Sequence, residues 1–135
     1  VFMEYLCDTA ALARKHKLHS VMISCGFMNP EPLKEMCSLL DAIKIDLKGY
    51  SEDFYRNVCS AELRPVLNSI RNIAKTRVHL ELVNLVVPTL NDSDGMMAGL
   101  TFWVRHFLSL MEDIVLRDAA GRLARFLLSA ERDGD

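Results

Sequence analysis

The chain has 135 residues, half of them hydrophobic and a quarter charged, with a formal net charge of −2. That suffices for one domain with its own core, gives no basic stretch that points to nucleic acid, and contains no apolar run long enough to span a membrane. The N-terminus lacks a signal-peptide pattern, and valine at position 1 marks the expectation of a piece from a longer protein.

Residues 2–17 read as a helix. Phe2, Tyr5, Leu6, Thr9, Ala10 and Ala13 recur at three- and four-residue steps, and Arg14, Lys15 and Lys17 gather at the C-terminal end. Residues 20–24 read as a short strand closing on Cys25-Gly26. Asn29 is then the expected N-cap of a helix with Pro30 at its first position, and Leu33, Met36, Cys37 and Leu40 as its buried stripe. A strand over 43–48 follows. Ile43, Ile45 and Leu47 share one face, and Lys44, Asp46 and Lys48 share the other. A charged second face suits a barrel strand, with helices outside and a site within. Asp46 and Lys48 fall at the strand's C-terminal end, where α/β folds carry their chemistry.

Ser51 is expected to cap a short helix through Asn57. A longer helix covers 62–76, with Pro65 tolerated in its first turn, and a third strand covers 78–87. Pro88 and Asn91-Asp92 mark the loop beyond it. Crossovers of this length fit parallel strand pairing. Three strands cannot close a barrel, so the segment reads as the middle of a larger α/β domain. From about Thr101 no further strand is readable. Trp103, Phe107, Leu110 and Ile114 form one helical stripe, read equally as core or as a dimer interface. A second helix is expected over 119–130. The expected division is therefore an α/β unit over 1–100 and a helical tail over 101–135.

Cys7, Cys25, Cys37 and Cys59 lie at wide intervals, with no close ligand pair. No metal site is expected from this chain alone, and free thiols in a reducing cytoplasm are the expectation. His16 and His19 share an H-x-x-H spacing at a helix end, where C-terminal capping is expected rather than metal binding.

Five stretches carry a family resemblance: Phe2-Met3-Glu4-Tyr5, Val21-Met22-Ile23-Ser24-Cys25-Gly26-Phe27, Asp41-Ala42-Ile43-Lys44-Ile45-Asp46-Leu47-Lys48-Gly49, Leu63-Arg64-Pro65-Val66-Leu67 and Leu85-Val86-Val87-Pro88-Thr89-Leu90-Asn91-Asp92. In this order and spacing they resemble the radical S-adenosylmethionine (SAM) superfamily, in particular the AmmeMemoRadiSam group, similar to pyruvate formate-lyase activating enzymes. The resemblance covers residues 1 to about 100 and implies a partial (βα) barrel with parallel strands. It further implies a 4Fe–4S cluster that reduces SAM to a hydrogen-abstracting radical in the full-length family. It places Asp46 and Lys48 beside SAM, and Ser24, Gly26 and Asn84 among the supporting cofactor contacts. The family's Thr-Asn-Gly strand end is Ser24-Cys25-Gly26 here, which keeps a hydroxyl and loses an amide.

The family's CxxxCxxC cluster motif and its Gly-Glu-Pro segment are expected upstream of residue 1. Without three thiolates there is no cluster, so the chain alone is expected to be catalytically inactive. Residues 110–118 and 121–128 resemble a Crp/Fnr-type regulator segment. That leaves a non-enzymatic dimerising or regulatory module as the alternative, with a homodimer through the 103–115 helix as its expected partner. Taken without the resemblance, Asp46 and Lys48 read equally as a structural ion pair. The substrate is not legible.

Overall fold

The computed structural model describes residues 2–115, with side chains throughout except at 107, 108 and 110–115. The Crp/Fnr-like stretch and the helix expected over 119–130 lie largely or wholly outside the described residues.

The elements run α1 (Met3–Lys15), β1 (Val21–Ser24), α2 (Pro30–Leu39), β2 (Ala42–Asp46), α3 (Glu52–Asn57), α4 (Leu63–Ala74), β3 (His79–Val83) and α5 (Asp94–Val115). The strands form one sheet in the order β1–β2–β3. Both pairings are parallel, with Ser24 opposite Ile45 and Asp46 opposite Val83. This is the α/β architecture with parallel strands that the alternation of strand and helix predicts.

The two faces of the sheet have opposite fates. Ile43, Ile45 and Leu47 are 0–1% exposed and join Leu33 and Met36 of α2 and Val66, Ile70 and Ile73 of α4 in one core. Crossovers of a single hand put successive helices on the same side of a sheet, and α2 packs directly on α4. Among the described residues nothing covers the other face: Ile23 is 66% exposed and Val21 65%. The period-two pattern of β2 is therefore read correctly as one apolar face against helices and one charged face turned away from them.

Local chemistry explains most boundaries. Ser51 accepts the Phe54 N–H at 3.3 Å and caps α3 as expected. Asn29 occupies the N-cap position of α2, but its side chain makes no capping bond, so Pro30 alone carries the start signal. The Glu52 carboxylate of α3 accepts the Leu63 N–H at 3.3 Å, so one helix caps the next. β3 stops at Val83, short of the expected 87, because the Asn84 side chain turns to β2 and the Asn91 carboxamide takes the Val87 N–H at 2.6 Å. That bond closes a loop where the apolar run had suggested more strand.

α5 begins at Asp94 and passes residue 100 without interruption. Trp103 is 4% exposed within the same core as the sheet, and the Arg71 guanidinium of α4 sits 5.0 Å from its ring centroid. Of the expected apolar stripe, Trp103 thus faces the chain's own core. The side chains of Phe107, Leu110 and Ile114 are not among those described. No described helix is long and apolar enough to cross a membrane.

Candidate functional site

Parallel pairing brings the C-terminal ends of all three strands to one edge of the sheet. β1 delivers Ser24 and Gly26 there, β2 delivers Asp46 and Lys48, and the residue after β3 is Asn84. The residues singled out from the sequence therefore fall on three neighbouring strand ends.

Asp46 and Lys48 meet: Lys48 Nζ lies 3.4 Å from Asp46 Oδ2, with the Lys48 side chain 43% exposed and that of Asp46 35%. A pair this open to water contributes about 0–1 kcal/mol at most. The pair therefore adds little to the stability of the fold. A comparable pair on the same open face, Lys44 with Glu81, is longer at 3.9 Å. At the opposite end of the sheet the charge chemistry is structural. The Ser20 N–H donates to Asp41 at 2.8 Å and His19 Nδ1 lies 3.4 Å away. The Ser20 bond, and then His19, hold the Asp41 carboxyl below its usual range.

Ser24 and Gly26 build the turn that follows β1. The Ser24 hydroxyl accepts the Gly26 N–H at 3.1 Å. Gly26 has φ +76°, and a Cβ there would sit 3.1 Å from Ile45 Cγ2. Conformation and space both require glycine at this point. Asn84 Nδ2 donates to the Leu47 carbonyl at 2.5 Å, so its amide fixes the end of β2. Cys25, between Ser24 and Gly26, is an exposed free thiol.

Two residues at this end carried no functional signal in the sequence. Asn91, 3% exposed, donates to the carbonyls of Lys48 at 2.7 Å and Leu85 at 2.9 Å. Tyr55, 2% exposed, accepts the Lys48 N–H through its hydroxyl at 3.1 Å. An asparagine in an Asn-Asp loop and an aromatic residue in a short capped helix look the same whether or not they reach a strand end.

Burial pushes the Tyr55 hydroxyl up to about 12, against a downward pull from the Lys48 N–H. The unfolded chain releases this proton near pH 10. A raised folded pKa stabilises fully below the unfolded value and loses that contribution as pH rises through the folded one. Folding stability is therefore expected to fall between about pH 10 and 12. Tyr55→Phe should flatten that slope and remove the late step from an ultraviolet titration of tyrosinate. A wild-type titration in which all three tyrosines ionise together near pH 10 would contradict the burial argument.

Among the described residues, no group of three or more His, Cys, Asp or Glu side chains is placed to hold a metal ion. Cys7 is buried in α1, Cys37 and Cys59 are half-buried, and Cys25 is exposed at the strand end. These residues do not offer the thiolate set of a 4Fe–4S cluster. A groove of about 640 Å³ runs between α1 and β1, the edge strand among the described residues, lined by Phe2, Tyr5, Leu6, Val21 and Ile23 among others. It is apolar and lies along the sheet edge rather than at the strand ends.

No family model matches the chain. It is 38% identical over 105 residues to an uncharacterized protein of Methanocaldococcus jannaschii, a match covering 78% of this chain and 31% of the relative. The chain thus spans about a third of the length of that curated relative. Among solved structures it resembles a domain of a pyruvate-formate lyase-activating enzyme from Bacteroides vulgatus, with a TM-score of 0.69 at 12% identity, covering 83% of this chain and 86% of that one. At this identity the likeness establishes a shared fold.

Proposed function

We propose that the chain is the middle segment of a radical SAM barrel, and that its strand-end edge is the part of that barrel which orients SAM. The observation that carries this reading is the Asp46–Lys48 pair, 3.4 Å apart at the C-terminal end of the central strand and half-open to water. It stands in a fold shared with an activating-enzyme domain. The five sequence stretches that resemble the superfamily supply the cofactor's identity.

SAM presents a cationic amino group, a carboxylate and ribose hydroxyls. Asp46 is an acceptor-only group suited to the hydroxyls or the amine, and Lys48 is a point-charge donor suited to an anionic oxygen. The ion pair between them costs little to open, so a ligand can take either partner without first breaking a strong contact. Ser24 and Gly26 hold the neighbouring turn, and Asn84 holds the β2 end in register with β3.

SAM supplies a cleavable sulfonium, which in this superfamily is reduced by an iron–sulfur cluster. The described residues do not fit that cluster, so the contribution assigned to this chain is binding and orientation alone. No radical step and no substrate is assigned to these residues.

Calorimetric titration with SAM tests the assignment. Binding in the micromolar to millimolar range is expected. Asp46→Ala and Lys48→Ala should each weaken it about tenfold or more, the size of one lost charge-assisted hydrogen bond. Thermal stability should move little, because the pair is exposed. No binding at millimolar SAM, or binding indifferent to both substitutions, would remove the cofactor assignment.

A further inference from the structure

The last regular bond of the β2 ladder is the Leu47 N–H to the Val83 carbonyl, at 2.9 Å. Lys48 lies one residue beyond it, at a point where a strand end ordinarily leaves its peptide groups to water. Here both are taken by buried side chains. Tyr55 of α3 accepts the Lys48 N–H at 3.1 Å, and Asn91 of the loop after β3 donates to the Lys48 carbonyl at 2.7 Å. Asn84 takes the preceding carbonyl, that of Leu47. The following residue is equally confined, since a Cβ on Gly49 would fall 2.9 Å from Phe54 and 3.1 Å from the Met96 methyl.

These bonds are obligatory for the residues that make them. Burying a carboxamide or a phenol without partners costs roughly 2–7 kcal/mol, and Asn91 satisfies its cost on Lys48, Leu85 and Val87 together. The Lys48 ammonium, by contrast, stays half-open beside Asp46. A fixed peptide beneath a free charged tip is the arrangement that lowers the ordering cost of binding, because the side chain starts from one anchored point.

We infer that Tyr55 and Asn91 are positioning residues that hold the Lys48 peptide from two sides and so aim the Lys48 ammonium at the ligand. The inference rests on the SAM reading above. The alternative is a tether that joins loop to strand and leaves binding untouched.

The test is a double-substitution cycle read by SAM affinity on the full chain. Tyr55→Phe keeps the ring and removes only the hydroxyl. It is expected to weaken SAM binding about fivefold, the scale of one hydrogen bond, and to shift the Lys48 amide resonance and speed its hydrogen exchange. In a Lys48→Ala background the same substitution should cost no further affinity, because its effect passes through Lys48. Asn91→Ala should behave alike; if it fails to fold, the Tyr55→Phe cycle decides alone. Unchanged affinity in Tyr55→Phe, or a loss that adds fully to that of Lys48→Ala, overturns the positioning role while leaving the SAM site intact. A wild-type chain that does not bind SAM at all overturns both.

Discussion

Ile45→Ala is expected to destabilise the chain by about 2–5 kcal/mol, the range for truncating a fully buried aliphatic side chain. Ile23→Ala, on the neighbouring strand, should cost less than about 1 kcal/mol, the scale of strand propensity alone. Both are isoleucines in paired strands, and they differ in the face they occupy. Ile45 is 0% exposed beneath α2 and α4, and Ile23 is 66% exposed on the uncovered side. Its Cα partner is Lys44, whose β2 face points away from the helices. Denaturant midpoints of the two variants measure the contrast. Equal losses would mean that the open face is covered in this chain by something the fold does not show.

The second large effect concerns the seat of α5. Gly99→Ala should destabilise the chain even though alanine is favoured over glycine in a helix by about 1 kcal/mol. A Cβ at Gly99 would run into the Tyr50 ring, and forcing a ring aside in a packed contact costs about 1–3 kcal/mol. The steric term wins. Gly95 in the same helix is the control. No described residue lies within 4 Å of the Cβ position there, so Gly95→Ala should leave stability unchanged or raise it by up to about 1 kcal/mol. In a Tyr50→Ala background the sign at Gly99 should reverse, because the obstacle is gone and the propensity gain remains. Trp103 fluorescence reports the result directly, since the chain has a single tryptophan and it is buried where α5 meets α4. A stabilising Gly99→Ala in the wild-type background would show that α5 does not bear on Tyr50.

The sequence exposed the sheet more fully than the site. Ile43, Ile45 and Leu47 alternate with Lys44, Asp46 and Lys48, and a period of two leaves only the choice of which face is buried. The apolar one is, by side-chain chemistry alone. Ser51 and Pro30 marked helix starts through local rules that operate within four residues. Asn29 shows the limit of such rules: it holds the N-cap position, yet its side chain makes no capping bond.

What escaped the sequence depends on partners far along the chain. Asn91 reaches Lys48 across 43 residues and Asn84 reaches Leu47 across 37, and no local pattern distinguishes these carboxamides from solvated loop groups. The expected strand over 78–87 overran for the same reason. Leu85, Val86 and Val87 look like strand residues, but Leu85 is 70% exposed and its carbonyl bonds to Asn91 rather than to a neighbouring strand. The start of α5 at Asp94 was likewise hidden, because Gly95 and Gly99 weaken the helix signal just where the packing against Tyr50 asks for small residues.

The edge formed by the three strand ends is expected to receive SAM. Amide chemical-shift mapping during a SAM titration tests it most directly, because it reports where the ligand sits as well as whether it binds. The expected result is a set of perturbations centred on Ser24, Gly26, Asp46, Lys48 and Asn84, with the α1 groove around Phe2, Tyr5 and Val21 unchanged. Perturbations centred on that groove, or none at saturating SAM, would contradict it.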